Sequence, residues 1–175
     1  MTPTQLTIPT LTTERLILRA PRRDDFEPRA AFYASDRSIP EGGPLDRNAA
    51  WRIWASEVGQ WLVLGYGPFS VEDRDTGAYL GEVGIYHPAE YPEPELGWFV
   101  TPEAEGRGIA TEAARAVLAW AGETFPWDRL VNIIEPGNAR SIAVGLRLGG
   151  VIDPSLPGVD PGDVVIRHTL RAHAC

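Results

Sequence analysis

Hydrophobic positions change their period several times along the chain, and each change marks an element. Leu16, Ile17 and Leu18, followed by Arg19, make a short apolar run of the kind that forms a strand. Pro21 and the acidic pair Asp24 and Asp25 then signal a helix start. Phe26, Ala30, Ala31 and Ala34 recur at helical spacing, which predicts a helix from about Asp24 to Ser35. Residues 38–47, rich in Gly and Pro, read as a loop. Trp51, Ile53, Trp54, Val58, Trp61 and Leu62 resume a helical period and predict a second helix ending near Gly65. Its three Trp share a face suited to core packing or to contact with a second subunit, which leaves a homodimer open.

From Pro68 the period falls to two. Phe69 and Val71 alternate with polar neighbours, Asp75-Thr76-Gly77 is a hairpin turn, and residues 78–87 form a strand whose two Gly allow a bulge. A loop rich in Pro and Glu leads to a further strand, Glu95 to Val100. Beyond it Ile109, Ala113, Val117 and Ala121 keep to one face of a long helix, and its Ala-rich surface suits close packing on a sheet. Leu130 to Ile134 reads as a buried strand, Ala139 to Leu148 as a short helix and Val164 to Leu170 as a last strand. Strands and helices alternate around a central run of hairpins, so the fold class is α/β with a mixed sheet. The polar residues 1–10 read as an N-terminal arm, and residues 11–175 as a single domain.

Composition narrows the chemistry. All 16 basic residues are Arg, so Schiff-base chemistry and the phosphate-binding Lys of a P-loop are absent. The net charge of −8 argues against a nucleic-acid partner. One Cys, Cys175, and three His make an internal disulfide or a metal centre unexpected. No apolar run approaches the roughly 18 residues that span a bilayer, and no leader pattern opens the chain. The expectation is a cytoplasmic protein without a membrane partner.

The most informative segment is ELGWFVTPEAEGRGIATEA, residues 95–113. A strand runs into a loop with Gly106 and Gly108, and the loop runs into a helix N-terminus. Glycines let a ligand approach the main chain, and first-turn N–H groups lack intrahelical partners, so the segment suits a pyrophosphate. The spacing is not that of a dinucleotide fingerprint. EGRGIA (Glu105 to Ala110) resembles the acetyl-CoA signature of the GCN5-related N-acetyltransferases. TERLILRAPRRDD near the start and NARSIAVGLRLGG (Asn138 to Gly150) resemble the RimJ/RimL-type ribosomal-protein N-terminal acetyltransferases within that family. The sequence departs from the pattern at Glu105, where Gln or Arg is usual, and at Gly150, where Phe is usual.

The resemblance implies a mostly antiparallel sheet flanked by helices, with acetyl-CoA splayed open between two central strands and no metal. It implies pantetheine pairing along Trp98, Phe99 and Val100, and pyrophosphate binding by amides of Gly106, Arg107, Gly108, Ile109, Ala110 and Thr111. Asn138 and Ser141 would lie near the sulfur, although Asn138 also fits an ordinary helix N-cap.

Acetyl transfer to an amine needs a base, because a typical alkylammonium has a pKa of about 10.4 and only the neutral amine attacks. Glu95, opening the strand that enters the cradle, is the chosen base, and Glu82 on the preceding strand is the second candidate, placed to meet the substrate. The Tyr that many family members use as general acid is replaced by Gly145, which leaves Ser141 or water. Nine acidic residues and one Arg between Glu72 and Glu105 account for the whole net charge and are expected to form a negative rim that attracts a cationic acceptor. The expected function is acetyl transfer from acetyl-CoA to a primary amine, either a protein N-terminus or a small cationic amine. A non-catalytic acyl-CoA sensor and an interaction module on the same fold are the rivals.

Overall fold

The computed structural model describes residues 7–170. Eight strands form one sheet in the order β1-β2-β3-β4-β5-β6-β8-β7. They are β1 (Leu11–Thr12), β2 (Leu16–Arg19), β3 (Pro68–Asp73), β4 (Tyr79–Tyr86), β5 (Glu95–Val100), β6 (Arg129–Ile134), β7 (Val151–Ile152) and β8 (Val164–Thr169). Four helices flank it: α1 (Phe26–Tyr33), α2 (Arg47–Leu64), α3 (Ile109–Thr124) and α4 (Ala139–Arg147). All neighbouring strands run antiparallel except β5 and β6. Of the arm expected over residues 1–10, only 7–10 are described, without regular structure, and Cys175 lies outside the described residues. Among the described residues no helix is long and apolar enough to cross a membrane, and no cluster of His, Cys, Asp and Glu could hold a metal.

Period-two alternation splits the core into two layers. Phe69, Val71, Val83, Ile85 and Leu96 face α3, which buries Ile109, Ala113, Ala114, Val117 and Ala121 against them. The small Ala residues bring the α3 backbone close to the sheet. On the other face Phe99 packs with Phe26, Phe32 and Tyr33 of α1 and Trp54 of α2. Trp54 and Trp61 are buried as the spacing predicts, whereas Trp51 is half exposed and packs edge-on against Phe26 at 5.0 Å.

Boundaries depart from expectation where side chains compete with the backbone. The first helix starts as a 3-10 turn at Arg23–Asp25, because Asp25 turns inward to Arg19 (2.7 Å) and Ser70 (2.7 Å). Part of the expected loop at 38–47 is a 3-10 turn, Asp36–Glu41. Asp46 caps α2 by accepting from the Ala49 N–H at 2.9 Å. The bulge falls at Leu80: Val71 faces Gly81 while Glu72 faces Tyr79. Two-residue strands such as β1 and β7 are too short to show a period.

The feature that positions the site is the splay between β5 and β6, which share one registered pair, Glu95 with Val131. Beyond it the strands part, and side chains fill the gap. Ile133 N–H donates to Glu95 Oε1 at 2.9 Å, and Asn132 Nδ2 donates to the Leu96 carbonyl.

Candidate active site

A cleft of about 1590 Å³ runs from this splay along the N-terminus of α3. Every residue expected to hold the coenzyme lines it: Trp98, Phe99, Val100, Gly106 to Thr111, Asn138 and Ser141. Gly106 and Gly108 have φ of 71° and 78°, the left-handed region that favours Gly, so the loop turns tightly, and within it the Arg107 N–H donates to the Ala104 carbonyl at 3.4 Å. Arg15 staples the loop: it donates to the Arg107 carbonyl at 3.1 Å and pairs with Glu112 of α3 at 2.6 Å. Arg107 is itself within 3.6 Å of Asp73. Glu105, where the family pattern has Gln or Arg, is gripped by Arg37 and by Arg140 (3.1 Å). Its charge is thereby matched, and the cleft keeps Arg107, Arg115 and Arg147 on its walls for an anionic ligand.

The open edge of β5 has a definite polarity. The Leu96 carbonyl is bonded to Asn132, and the Val100 carbonyl accepts from Arg37 Nη2 at 2.9 Å. Main-chain groups two residues apart point the same way, so the Trp98 N–H and C=O face the splay between them. Phe99, one residue on, turns its main chain toward Glu82 of β4 and its ring onto Phe32 at 4.7 Å. Trp98 and the Val100 amide therefore offer the free edge, and Phe99 contributes wall rather than hydrogen bonds.

A second cavity of about 550 Å³ opens beside the cleft, bordered by Glu95, Tyr33, Tyr91, Glu41, Glu57 and Asp160. Pro40, Glu41, Trp98, Asn138 and Ser141 line both spaces, so the two meet between the Asp36–Glu41 turn and the N-terminus of α4. Asn138 is the N-cap there, accepting from the Ser141 N–H at 3.1 Å. Glu95 lies in this recess, where burial pushes its carboxyl up to about 8 against the partial offset of the Ile133 N–H. At neutral pH it sits near its own titration point, as a general base must.

Glu82, expected to meet the substrate, lines neither space. It is 0% exposed, accepts from Trp54 Nε1 at 2.7 Å and faces Arg29 at 3.8 Å. Burial pushes it up to about 7, with Arg29 pulling the other way. It sits behind Arg29, on the sheet face that α1 and α2 cover. The acidic stretch from Glu72 to Glu105 does not converge into a rim either. Glu72 is bonded to Arg19 at 2.5 Å, Glu93 to Arg129 at 2.7 Å, and only Glu90 and Glu95 of the stretch border the cavity. The other carboxylates there come from Glu41, Glu57, Glu135 and Asp160, which sequence reasoning missed. Glu57 shares a helix face with Ile53, Ser56 and Gln60, a stripe hidden by the stronger Trp pattern.

The departures at Gly145 and Gly150 have one cause. His168 of β8 and Asn132 of β6, both buried, are bonded at 2.6 Å beneath α4. A Cβ on Gly145 would come within 2.7 Å of Ile166 and 2.9 Å of Asn132 Oδ1, and one on Gly150 against Ile166 and within 2.6 Å of His168 Cε1. Ile166 and the polar pair together occupy the room that larger side chains on α4 and just after it would need.

Residues 15–151 match the family model described as an acetyltransferase (GNAT) domain. A crystal structure of an acetyltransferase from Agrobacterium tumefaciens str. C58 is 40% identical, with a TM-score of 0.88, covering 96% of this chain and 98% of that one. YkkB of Bacillus subtilis is 34% identical over 90 residues, 49% of this chain, so the match spans about half (52%) of that protein's length. RimL, a ribosomal L7/L12 alpha-N-protein acetyltransferase solved with coenzyme A, shares the fold with a TM-score of 0.69 over 92% of this chain and 98% of that chain, at 13% identity.

Proposed function

The chain belongs to the GNAT acetyltransferase family and is an N-acetyltransferase, and from that premise we propose that it transfers acetyl directly from acetyl-CoA to a primary amine bound in the Glu95 cavity. The observation that carries this reading is the meeting of the two spaces at Trp98, Asn138 and Ser141. Acetyl-CoA would lie along the cleft, with its diphosphate on the amides of residues 106–111 and its pantetheine arm on the open edge at Trp98. That arrangement brings the thioester to the junction, within reach of an amine from the cavity.

Glu95 takes the ammonium proton, directly or through water, and releases the neutral amine for attack. The Trp98 and Val100 amides are the donors on the open edge for the charge that develops on the thioester oxygen. Ser141, at the first turn of α4, would relay to the leaving thiolate the proton that the nitrogen sheds as the amide forms, since Gly145 has no side chain to do so. The acceptor is a protein N-terminus, as in the RimJ/RimL-type enzymes the sequence resembles, or a small cationic amine.

Thiol release from acetyl-CoA across an amine panel tests the reading, with Glu95→Gln as the diagnostic variant. The expected outcome is a kcat lower by about 100-fold or more with acetyl-CoA affinity unchanged. Coenzyme binding without turnover on any amine would instead support the sensor reading.

A further inference from the structure

Charge in the acceptor cavity is unbalanced in a way that specifies its ligand. Glu41, Glu57, Glu90, Glu95, Glu135 and Asp160 border it, and Arg29 is the one cation among the bordering residues. Arg29 is already shared three ways: its guanidinium lies 3.3 Å from Glu57, 3.7 Å from Glu41 and 3.8 Å from Glu82. It is 4% exposed, and its Nε, like the facing Glu82 Oε2, has no hydrogen-bond partner. One guanidinium cannot compensate three carboxylates, and a charge held away from water without a full partner set is costly. Burial accordingly pushes both Glu57 and Glu41 up, against the pull of Arg29. The cavity is short of positive charge.

Glu95 reaches in from β5, and the amine there must be neutral when it attacks. Glu57 reaches in from α2, on a different element, with Tyr33 and Tyr91 also on the wall. These carboxylates and aromatic rings suit a cation on a short apolar stem. A volume of about 550 Å³ is that of a small-molecule pocket.

Resting on the reading of this cavity as the acceptor site, we propose that the acceptor is a short diamine whose second, unreacted ammonium is held by Glu57 and Glu41. The reacting amine then lies at Glu95, and the length of the stem selects the substrate. A monoamine fills only the catalytic end, and the N-terminus of a protein places an uncharged peptide group where the second ammonium belongs.

The test compares 1,4-diaminobutane, 1-aminobutane and an uncharged tripeptide with a free N-terminus as acceptors. The expected kcat/KM is at least tenfold higher for the diamine than for the monoamine, through KM. Glu57→Gln should bring that ratio close to one. Glu41→Gln, which alters a more exposed contact, should reduce the ratio partially and serves if Glu57→Gln does not fold. Equal kcat/KM for diamine and monoamine, a preference that survives both variants, or preference for the tripeptide would overturn the proposal. Calorimetric binding of the two amines to coenzyme A-loaded Glu95→Gln protein separates the proposal from the reading beneath it. Tight diamine binding with no turnover in the unmutated enzyme would sustain the diamine site and overturn the catalytic reading. Turnover of both amines without discrimination would do the reverse.

Discussion

The cleft proposed for the coenzyme and the cavity proposed for the acceptor are neighbours, but they are built from different materials. The cleft offers main chain at the Gly106–Gly108 loop, the first turn of α3 and the open edge of β5 at Trp98, among basic side chains such as Arg107 and Arg147. The cavity is largely side chains, delivered from α1, α2, the Asp36–Glu41 turn and β5, with Asp160 from the loop before β8. Main-chain sites follow from the fold. Side-chain sites depend on residues far apart in sequence, and they can be refitted to a new acceptor without disturbing the coenzyme. One lesson is that mutations in the two regions should separate cleanly, cleft changes in coenzyme affinity and cavity changes in turnover and acceptor KM.

The largest expected effect tests that separation at Glu95. The Glu95 carboxyl must be ionised to accept a proton, and burial holds it at about 8. The kcat/KM of the unmutated enzyme should therefore rise with pH to a midpoint near 8. In Glu95→Gln that limb should disappear together with about 100-fold or more of kcat. A pH profile that keeps its midpoint in the variant would assign the titration to another group.

The next effect concerns what was legible in the sequence. Gly106, Gly108 and the helix after them could be read because main-chain geometry leaves a local signature: a left-handed turn needs Gly, and a helix start has a pattern. The strands also showed locally, since alternation is a nearest-neighbour property. Glu57 and Asp160 could not be read, because nothing near them in sequence says which space they face. Glu82 was misplaced for the same reason: its strand was right, but its side chain points to the face that α1 and α2 bury. Gly145 and Gly150 looked like losses until the structure set Asn132 and His168 beneath them. Restoring the family residue by Gly150→Phe should consequently destabilise the protein, by about 1–3 kcal/mol as an overpacked core does. Thermal or denaturant unfolding reads this directly, and an unchanged midpoint would mean that α4 lifts away at no cost.

On the cleft side, Gly108→Val is the matching probe. It forces a β-branched residue into φ 78° and places its methyls where a diphosphate would approach the amides. Acetyl-CoA affinity should fall at least tenfold, about 1.4 kcal/mol, while KM for the amine at saturating coenzyme stays within twofold, roughly 0.4 kcal/mol. An equal loss on both sides would show the two regions to be coupled through α3 rather than merely adjacent.

The last effect is on stability and comes from the buried carboxyls. Glu95 is held up at about 8 and Glu82 at about 7, with burial the main cause in both, and Glu41 and Glu57 are raised as well. A carboxyl whose folded pKa lies above its unfolded one binds its proton more tightly in the native state. Its contribution is complete below the unfolded value, near 4.5, and is lost as pH rises through the folded value. Asp25 works oppositely: burial raises it, but bonds from Arg19, the Arg22 amide and Ser70 outweigh that and hold it low. Its contribution is present above its unfolded value and is lost as pH falls through the folded one. Together these set a maximum in Tm on the acidic side, with a decline from about pH 4.5 to about 8. Each such carboxyl contributes a slope of at most about 1.4 kcal/mol per pH unit across that window. Glu95→Gln removes one such group from the cavity and should flatten that decline, so that the variant gains on the unmutated protein as pH rises. The Gly108→Val variant, altered in the cleft, should keep the original slope even if its Tm is lower throughout. If the slopes of the two variants match, the alkaline limb belongs to groups outside the cavity, and its shortage of positive charge is already compensated in the folded protein.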